Sequence, residues 1–303
     1  MTTIVSAMDV GGTHVTAANV DLSHCRLVPG QLSREPLDGD ASATEIVAAL
    51  ARCARRLPPA ARLAIALPGP FDHEHGIGRY QDVGKFEALH DFNLRAALTP
   101  LLPDTASISF HHDADAFLLG EWWAGAAHAH HRAAGITLGT GVGSSFLHDG
   151  RVQRDGPGIP PEGRVDLLRY GGRPLEETVS RRAIRRAYAA ATGESPAPDV
   201  QEVAQRARQG DRTAARVFAQ TFRALGAVLD PYLTKSGTTI LVVGGSIAAS
   251  WDLVAAPLQA ATAITVEPAH HLAEAPLLGA AYLSEQSTTR RFLIPKGLRG
   301  PHW

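Results

Sequence analysis

The 303-residue sequence predicts a two-domain α/β protein. Length is the first reason, since a typical domain takes roughly 150 residues. The second is alternation: apolar, β-branched runs are followed by segments with helical spacing of their apolar residues. The third is punctuation, because three of the strand-like runs break into glycine-rich turns at Gly11-Gly12-Thr13, Gly139-Thr140-Gly141 and Gly244-Gly245-Ser246.

Taken in order, Thr3 to Val10 is an apolar strand closing on Asp9 and a glycine pair. His14 to Asp21 alternates and completes a hairpin with it. Ala43 to Leu57 places Ile46, Val47, Leu50 and Cys53 on one helical face. Arg62 to Leu67 is a short apolar strand stopped by Pro68-Gly69-Pro70, and Asp72 to Lys85 is a loop by composition. Ile108 to His111 leads as a strand into a helix from Asp113 to Ala127. Ala134 to Leu138 and Ser144 to His148 form a second hairpin around Gly139 to Gly143. Arg151 to Gly172, rich in Gly and Pro, is irregular. Helices follow from Leu175 into the 220s with a break at Gly193 to Pro198. Thr239 to Val243 is a buried strand, and helices run on to about Tyr282. Glu285 to Trp303 reads as a tail, either poorly ordered or strapped to the body.

Composition bounds the function. Hydrophobic residues make up 45% and charged residues 19%, enough for a packed core and unlike a disordered chain. A net charge of -1 argues against a nucleic-acid footprint, which needs a basic face. The 29 basic residues are 26 Arg and 3 Lys (Lys85, Lys235 and Lys296), which reads as coding bias. No apolar stretch approaches the ~18 residues of a membrane span, and no signal peptide is evident at the start. Cys25 and Cys53 are the only cysteines, too few for a disulfide framework or a four-cysteine zinc site. A reduced, cytoplasmic setting is the default expectation.

Glycine turns let backbone N–H groups approach an anion, and Thr13 and Thr140 add hydroxyl donors. No GK[ST] makes a Walker loop of them, and no GxGxxG opens a helix. Any one of these turns is as readily an ordinary hairpin; two Gly-Thr hairpins in one chain are harder to dismiss. Asp9, closing an apolar strand, is either a magnesium-associated carboxylate or a turn cap. Asp113, opening a helix, is either an N-terminal cap or a general base. His73-Glu74-His75 and His128 to His131 resemble metal ligands only superficially, lacking a carboxylate or cysteine framework. Trp122 and Trp123 read as packing residues and not as a sugar platform.

With these residues in hand, the chain resembles a known family. DVGGTH, ALPGPFD, HHDADAFLLGE, TLGTGVGSS and LVVGGS occur in the order and at the spacing of the ROK family of bacterial sugar kinases and repressors. The resemblance runs from Ile4 to about Leu283. It implies the actin-like ATPase (ribonuclease-H-like) fold, with two lobes and a central cleft closing over ATP and a sugar. The expected organisation is an N-terminal α/β lobe over residues 1–115, a C-terminal α/β lobe over 116–284 whose last helix packs back on the first, and a tail over 285–303. No helix-turn-helix precedes the first motif, so the resemblance implies the kinase branch.

By the same resemblance, Asp113 is the catalytic aspartate. Asp9, Gly11, Gly12, Thr13, Gly139, Thr140, Gly141, Gly244, Gly245 and Ser246 bind ATP and Mg²⁺, the ion lying near Asp9, with Pro231 in the proline position before the adenosine motif. Pro68, Gly69, His112, Glu162 and Glu176 face the acceptor. The departures are specific. His112 replaces an Asn, Asp115 replaces another, and the zinc motif that would surround Glu176 offers Arg169 and Pro174 instead, so no zinc site is expected. The histidine after the first glutamate is missing, with Arg164, Val165 or Asp166 in that stretch. The segment Gly76 to Leu89 supplies Arg79, Asp82 and Lys85 as new contacts. The expected function is ATP-dependent phosphorylation of a hexose or sugar-like cyclitol. A C7-cyclitol kinase and a non-catalytic sugar sensor are the alternatives. A small-molecule sugar or cyclitol is the expected partner, with a homodimer as one possible assembly and with neither nucleic acid nor membrane involved.

Overall fold

The structure is a computed structural model that describes the backbone of residues 4–293 and the side chains of residues 4–286. Its contacts divide the chain into two units: the first runs to Ala116 and resumes at Leu277, and the second is Phe117–Pro276.

The first unit is built on a five-stranded sheet. β1 (Ile4–Val10) pairs antiparallel with β2 (His14–Asp21), which pairs antiparallel with β3 (Arg26–Pro36). On its other side β1 runs parallel to β4 (Arg62–Leu67), with Asp9 opposite Ala66. β4 in turn runs parallel to β7 (Ser107–His112), with Leu67 opposite His112. A two-residue pair, β5 (Phe71–Asp72) and β6 (Ile77–Gly78), lies within the segment read as a loop.

Helix α1 (Ala43–Arg55) starts at a reciprocal cap, in which Ser42 accepts from the Glu45 N–H and Glu45 accepts from the Ser42 N–H. It buries Ile46, Val47, Leu50 and Cys53 against Met8, Leu63, Ile65 and Phe110. Each such large side chain contributes about 1.5–3 kcal/mol when fully buried. A one-turn helix α2 (Leu94–Leu98), capped by Asn93, covers the sheet further along. α3 (Asp113–Ala124) carries the chain from the first unit into the second and stops before Gly125, short of the expected Ala127.

The second unit repeats the same strand order. β9 (Val142–His148) lies between β10 (Arg151–Val152) and β8 (Arg132–Leu138), both antiparallel to it. β8 runs parallel to β13 (Ile240–Gly244), which runs parallel to β14 (Thr265–Pro268). β11 (Arg169–Tyr170) and β12 (Arg173–Pro174) form a small separate hairpin. Four helices, α4 (Glu176–Val179), α5 (Arg181–Thr192), α6 (Val200–Arg208) and α7 (Arg212–Ser236), precede β13. α8 (Trp251–Gln259) follows it. Phe218, Phe222, Leu225 and Leu229 of α7 pack with Leu241 and Val243 of β13 in the core. The two glycine-threonine turns therefore occupy equivalent places, each joining the first two strands of its own five-stranded sheet.

Several elements depart from the sequence reading. β3 was not anticipated: Pro29 and Gly30 interrupt it, and its buried positions include the polar Ser33 and Glu35. Such an interrupted run is tolerated at a sheet edge, where β3 lies. Glu35 is charge-paired with Arg56 at 2.7 Å and Arg52 at 3.7 Å, which is how the edge keeps a buried carboxylate. α2 and β14 were likewise missed, each being too short to show a period. The last helix, α9 (Ala275–Leu293), continues well past Tyr282 into the segment expected to be a tail. Glu285 to Leu293 contains no Gly or Pro to stop it. Residues 294–303 of that tail, and Thr3 of the first predicted strand, lie outside the described residues. Among the described residues no helix is long and apolar enough to cross a membrane.

Candidate active site

In the first unit the sheet register brings two acidic residues to one edge. Asp9 is level with Ala66, and Asp113 follows His112, which is level with Leu67. Both therefore stand at the carboxyl ends of parallel strands, on either side of β4. Crevices at those ends are where open α/β sheets receive ligands. Burial, reinforced by the negative charge of Asp113, pushes the Asp9 carboxyl up to about 7. Asp113 opens α3, and its Oδ1 accepts a hydrogen bond from the Ala114 N–H at 2.8 Å. Beyond that local bond its side chain is 36% exposed, open enough to meet a ligand.

Around them, Gly11-Gly12-Thr13 forms the β1–β2 turn, closed by a Gly11 N–H to His14 carbonyl bond of 3.0 Å. The carbonyls of Gly12 and Thr13 are held from outside by the N–H groups of Gly39 and Leu37, each at 3.0 Å. Pro68-Gly69-Pro70 leaves the end of β4, and the buried Tyr80 hydroxyl donates to the Pro68 carbonyl at 2.6 Å. Burial, with Asp113 near, raises the Tyr80 phenol above its ordinary pKa, so it remains a donor. The His112 ring lies against Gly69, and its Nδ1 stands 3.6 Å from Asp113 Oδ1. That nitrogen is buried and has no hydrogen-bond partner among the described residues.

The second unit gathers the remaining motifs. Gly139-Thr140-Gly141 joins β8 to β9, with the Gly139 N–H donating to the Gly141 carbonyl at 3.0 Å. The Arg181 N–H donates to the Gly139 carbonyl at 2.9 Å, tying the turn to α5. Ser246 lies beside Gly139, its Oγ 3.7 Å from the point where a Cβ would stand. Gly245 needs its φ of +84°, and a Cβ there would meet the Leu138 carbonyl oxygen at 2.3 Å. Glu176, at the start of α4, accepts from the Val142 N–H at 3.4 Å, directly under the turn. Arg182 lies 3.7 Å from its Oε1. Glu162 is well exposed and 3.8 Å from Arg164, whose guanidinium is bound in turn to Asp166. Asp166, Glu162 and Glu176 together hold the Arg164 pKa above its usual value. Pro231 lies inside α7.

The structure thus brings Asp9, Gly11, Gly12, Thr13, Pro68, Gly69, His112 and Asp113 into the first unit. Gly139, Thr140, Gly141, Glu162, Glu176, Gly244, Gly245 and Ser246 fall in the second. Three members of the histidine groups bond to protein side chains. His75 bonds Asp72 at 2.9 Å, His130 bonds Thr239 at 2.8 Å and His131 bonds Asp149 at 2.6 Å. Trp122 Nε1 donates a hydrogen bond to the His130 carbonyl at 2.9 Å, and its ring lies against Gly150. In the segment where the resemblance would place zinc, β11 and β12 pair by backbone, and the Leu175 N–H donates to the Leu168 carbonyl at 2.7 Å. Among the described residues no group of three or more His, Cys, Asp or Glu could hold a metal ion.

Two features escaped the sequence. Glu121, ending the HHDADAFLLGE string, is fully buried and accepts from the N–H groups of Ala126, His270 and His271 at 2.7–3.0 Å, a structural pin. Of the three proposed loop contacts, Arg79 is bound to Asp91 and Asp82 is exposed, while Lys85 lies along Gly12 of the first turn. Apart from its charge, nothing in the string around Lys85 signalled that contact.

Known proteins resemble this chain along most of its length. The family model described as ROK family matches residues 5–287. The glucokinase of Thermotoga maritima is 28% identical over 219 residues, 65% of this chain and 67% of that enzyme. Among solved structures, the ROK hexokinase of Thermus thermophilus is 26% identical with a TM-score of 0.73, covering 94% of this chain and 99% of that one. A ROK family glucokinase from Streptomyces griseus, solved in complex with glucose and AMPPNP, is 23% identical with a TM-score of 0.75 over 93% and 99% of the two chains. The likeness shows the fold to be the actin-like ATPase fold, as the doubled strand order indicates.

Proposed function

This chain belongs to the ROK family, and we propose on that premise that it is an ATP-dependent kinase acting on a hydroxyl of a hexose or sugar-like cyclitol. The observation that carries the reading is the placement of Asp9 and Asp113 at the carboxyl ends of β1 and β7, beside a glycine turn. The relatives named as glucokinase and hexokinase support it.

The acceptor oxygen attacks the γ-phosphorus of ATP. A bond from that oxygen to phosphorus forms while the bond to the β,γ-bridging oxygen breaks. ADP leaves with the electron pair, and the hydroxyl proton passes to the Asp113 carboxylate. Each unit holds its own glycine-threonine hairpin, a turn type whose backbone N–H groups can receive phosphate oxygens. A divalent cation suits the first unit: its acidic side chains offer the hard oxygen donors Mg²⁺ takes, and the Asp9 carboxyl, raised by burial and an acidic neighbour, meets no counter-charge among the described residues. When bound at Asp9, Mg²⁺ would neutralise phosphate charge. Glu176 and Glu162 would accept hydrogen bonds from acceptor hydroxyls, with Pro68, Gly69 and His112 lining the acceptor side in the first unit.

A second acceptor class, a C7-cyclitol, is favoured by one feature: the Arg164 guanidinium, bound to Asp166, occupies the stretch where the resemblance would place a sugar-holding histidine. The deciding experiment incubates the protein with Mg²⁺, ATP and a panel of hexoses and cyclitols, and identifies phosphorylated products by mass spectrometry. Acceptor-dependent ADP release is the expected result. Sugar binding without turnover would make the chain a sensor, and acceptor-independent turnover would make it an ATPase.

A further inference from the structure

Lys85 is one of three lysines in a chain whose other basic residues are arginines. Its position is fixed by the elements around it. Tyr80 and Phe86 anchor the loop, each only 1% exposed. The Phe86 N–H donates to the Gly39 carbonyl at 2.6 Å, and the Gly39 N–H donates to the Gly12 carbonyl at 3.0 Å. This two-step bridge lays the lysine stem across the first glycine turn. Lys85 Cδ is 3.8 Å from the point where a Cβ on Gly12 would stand, and Lys85 Cβ is 3.5 Å from the same point on Gly39. The residue is half-buried, and the ammonium lies 6.0 Å from the Phe86 ring centroid. Among the described residues no carboxylate lies within ion-pair distance of it. A lysine held this way gives up rotamer freedom and gains no anion in return.

We propose that Lys85 binds the terminal phosphate of ATP at the Gly11-Gly12-Thr13 turn and stabilises the charge on the phosphoryl group during transfer. The proposal rests on the kinase reading above. It moves Lys85 from the acceptor side, where its loop first suggested it, to the nucleotide side. An ammonium is a compact charge with three donors, suited to phosphate oxygens beside backbone N–H groups. A positioned cation acts most strongly where charge is held on a transferring phosphoryl group. Neither other lysine offers this service in the first unit's described residues: Lys235 lies in α7, and Lys296 falls outside them.

The test uses Lys85→Met, which keeps the stem and removes the charge, with Lys85→Gln as a second variant should the first fold poorly. Calorimetric titrations with Mg²⁺ present compare ADP with the non-hydrolysable imido analogue of ATP. Affinity for the analogue should fall about 10- to 100-fold, the loss of a charge-assisted contact, and affinity for ADP by less than about threefold. Turnover should fall on the order of 100-fold, with melting temperature and acceptor affinity unchanged. Equal losses for both nucleotides, no loss for either, or a change confined to the acceptor KM would each overturn the assignment. Wild-type protein in the same series separates the two layers. Failure of the wild type to bind the analogue ends the kinase reading, and with it this one. Wild-type binding with unaffected variants removes Lys85 alone.

Discussion

Glu176 Oε2 lies 3.0 Å from the point where a Cβ on Gly141 would stand, so the carboxylate and the second glycine turn are in contact. The Val142 N–H, one residue on, points at the same oxygen at 3.4 Å. A carboxylate so close to a turn proposed to take phosphate must be occupied by hydroxyl donors or cations, because it would repel an anion.

Glu176→Gln tests that division of labour. Its carbonyl oxygen can still accept from Val142, so the turn should survive. Acceptor KM should rise about tenfold or more, since hydrogen bonds to a charged group contribute roughly 1.5–3 kcal/mol. ATP KM should change little. A variant with both KM values intact and a slightly lower melting temperature would reduce Glu176 to a helix-start residue, worth about 0.3–1 kcal/mol.

Asp113→Asn should keep the fold, because an amide oxygen can still accept from the Ala114 N–H. Its kcat should drop by about 10²–10⁴, the usual cost of losing a general base. The Asp9 carboxyl should fall below about 7 in this variant yet stay above its ordinary value, because burial is the larger cause and Asp113 the smaller. Carboxyl titration followed by NMR reads that shift. Near wild-type turnover would remove Asp113 from the chemistry, and an unmoved Asp9 would show that the two side chains do not communicate.

How much the sequence disclosed follows from the range of each signal. β2 at His14–Asp21 and β4 at Arg62–Leu67 matched their expected bounds because their buried residues are contiguous or alternating. β3 was invisible because an edge strand can carry Pro29 and Gly30 and bury Ser33 and Glu35. Asp9 and Asp113 stood out as carboxylates at the ends of apolar runs, a local signal. The partners of Glu121 and Lys85 left no such signal, because they come from His270 and His271 and from Gly12 and Gly39, remote in sequence and adjacent only after folding.

His111 makes acid stability specific. Burial, and secondarily the nearby His73, lower its pKa from 6.5 to about 3. The folded state therefore keeps the ring neutral, while the unfolded chain takes up a proton below its ordinary pKa. Stability from this residue is complete above about pH 6.5 and is lost as pH falls towards 3, by up to about 1.4 kcal/mol per pH unit. Chemical denaturation of wild type and His111→Gln between pH 7 and 4 checks the sign. The wild-type curve should fall more steeply, and parallel curves would show that the ring is protonated in the folded state.

Tyr80 joins stability to the acceptor side. Its ring packs 5.5 Å from Phe86 and 6.3 Å from Phe71, and its hydroxyl is the donor that holds the Pro68 carbonyl. Tyr80→Phe keeps the ring and leaves that carbonyl without its donor, a cost of about 1–3 kcal/mol when the group stays buried. For a domain of 150–250 residues each kcal/mol moves the melting temperature by roughly 2–4 °C. Pro68-Gly69-Pro70 then loses its tie to the loop, so acceptor KM should rise while ATP KM and the Lys85 contact with Gly12 stand, because Phe86 still anchors that side through Gly39. Tyr80→Ala should instead cost about 3–5 kcal/mol through the cavity it opens and should weaken both substrates, since the whole loop loses its core. If Tyr80→Phe raised ATP KM and spared the acceptor, the Pro68 loop would belong to the nucleotide, and the sides assigned to the two substrates in the first unit would have to be exchanged.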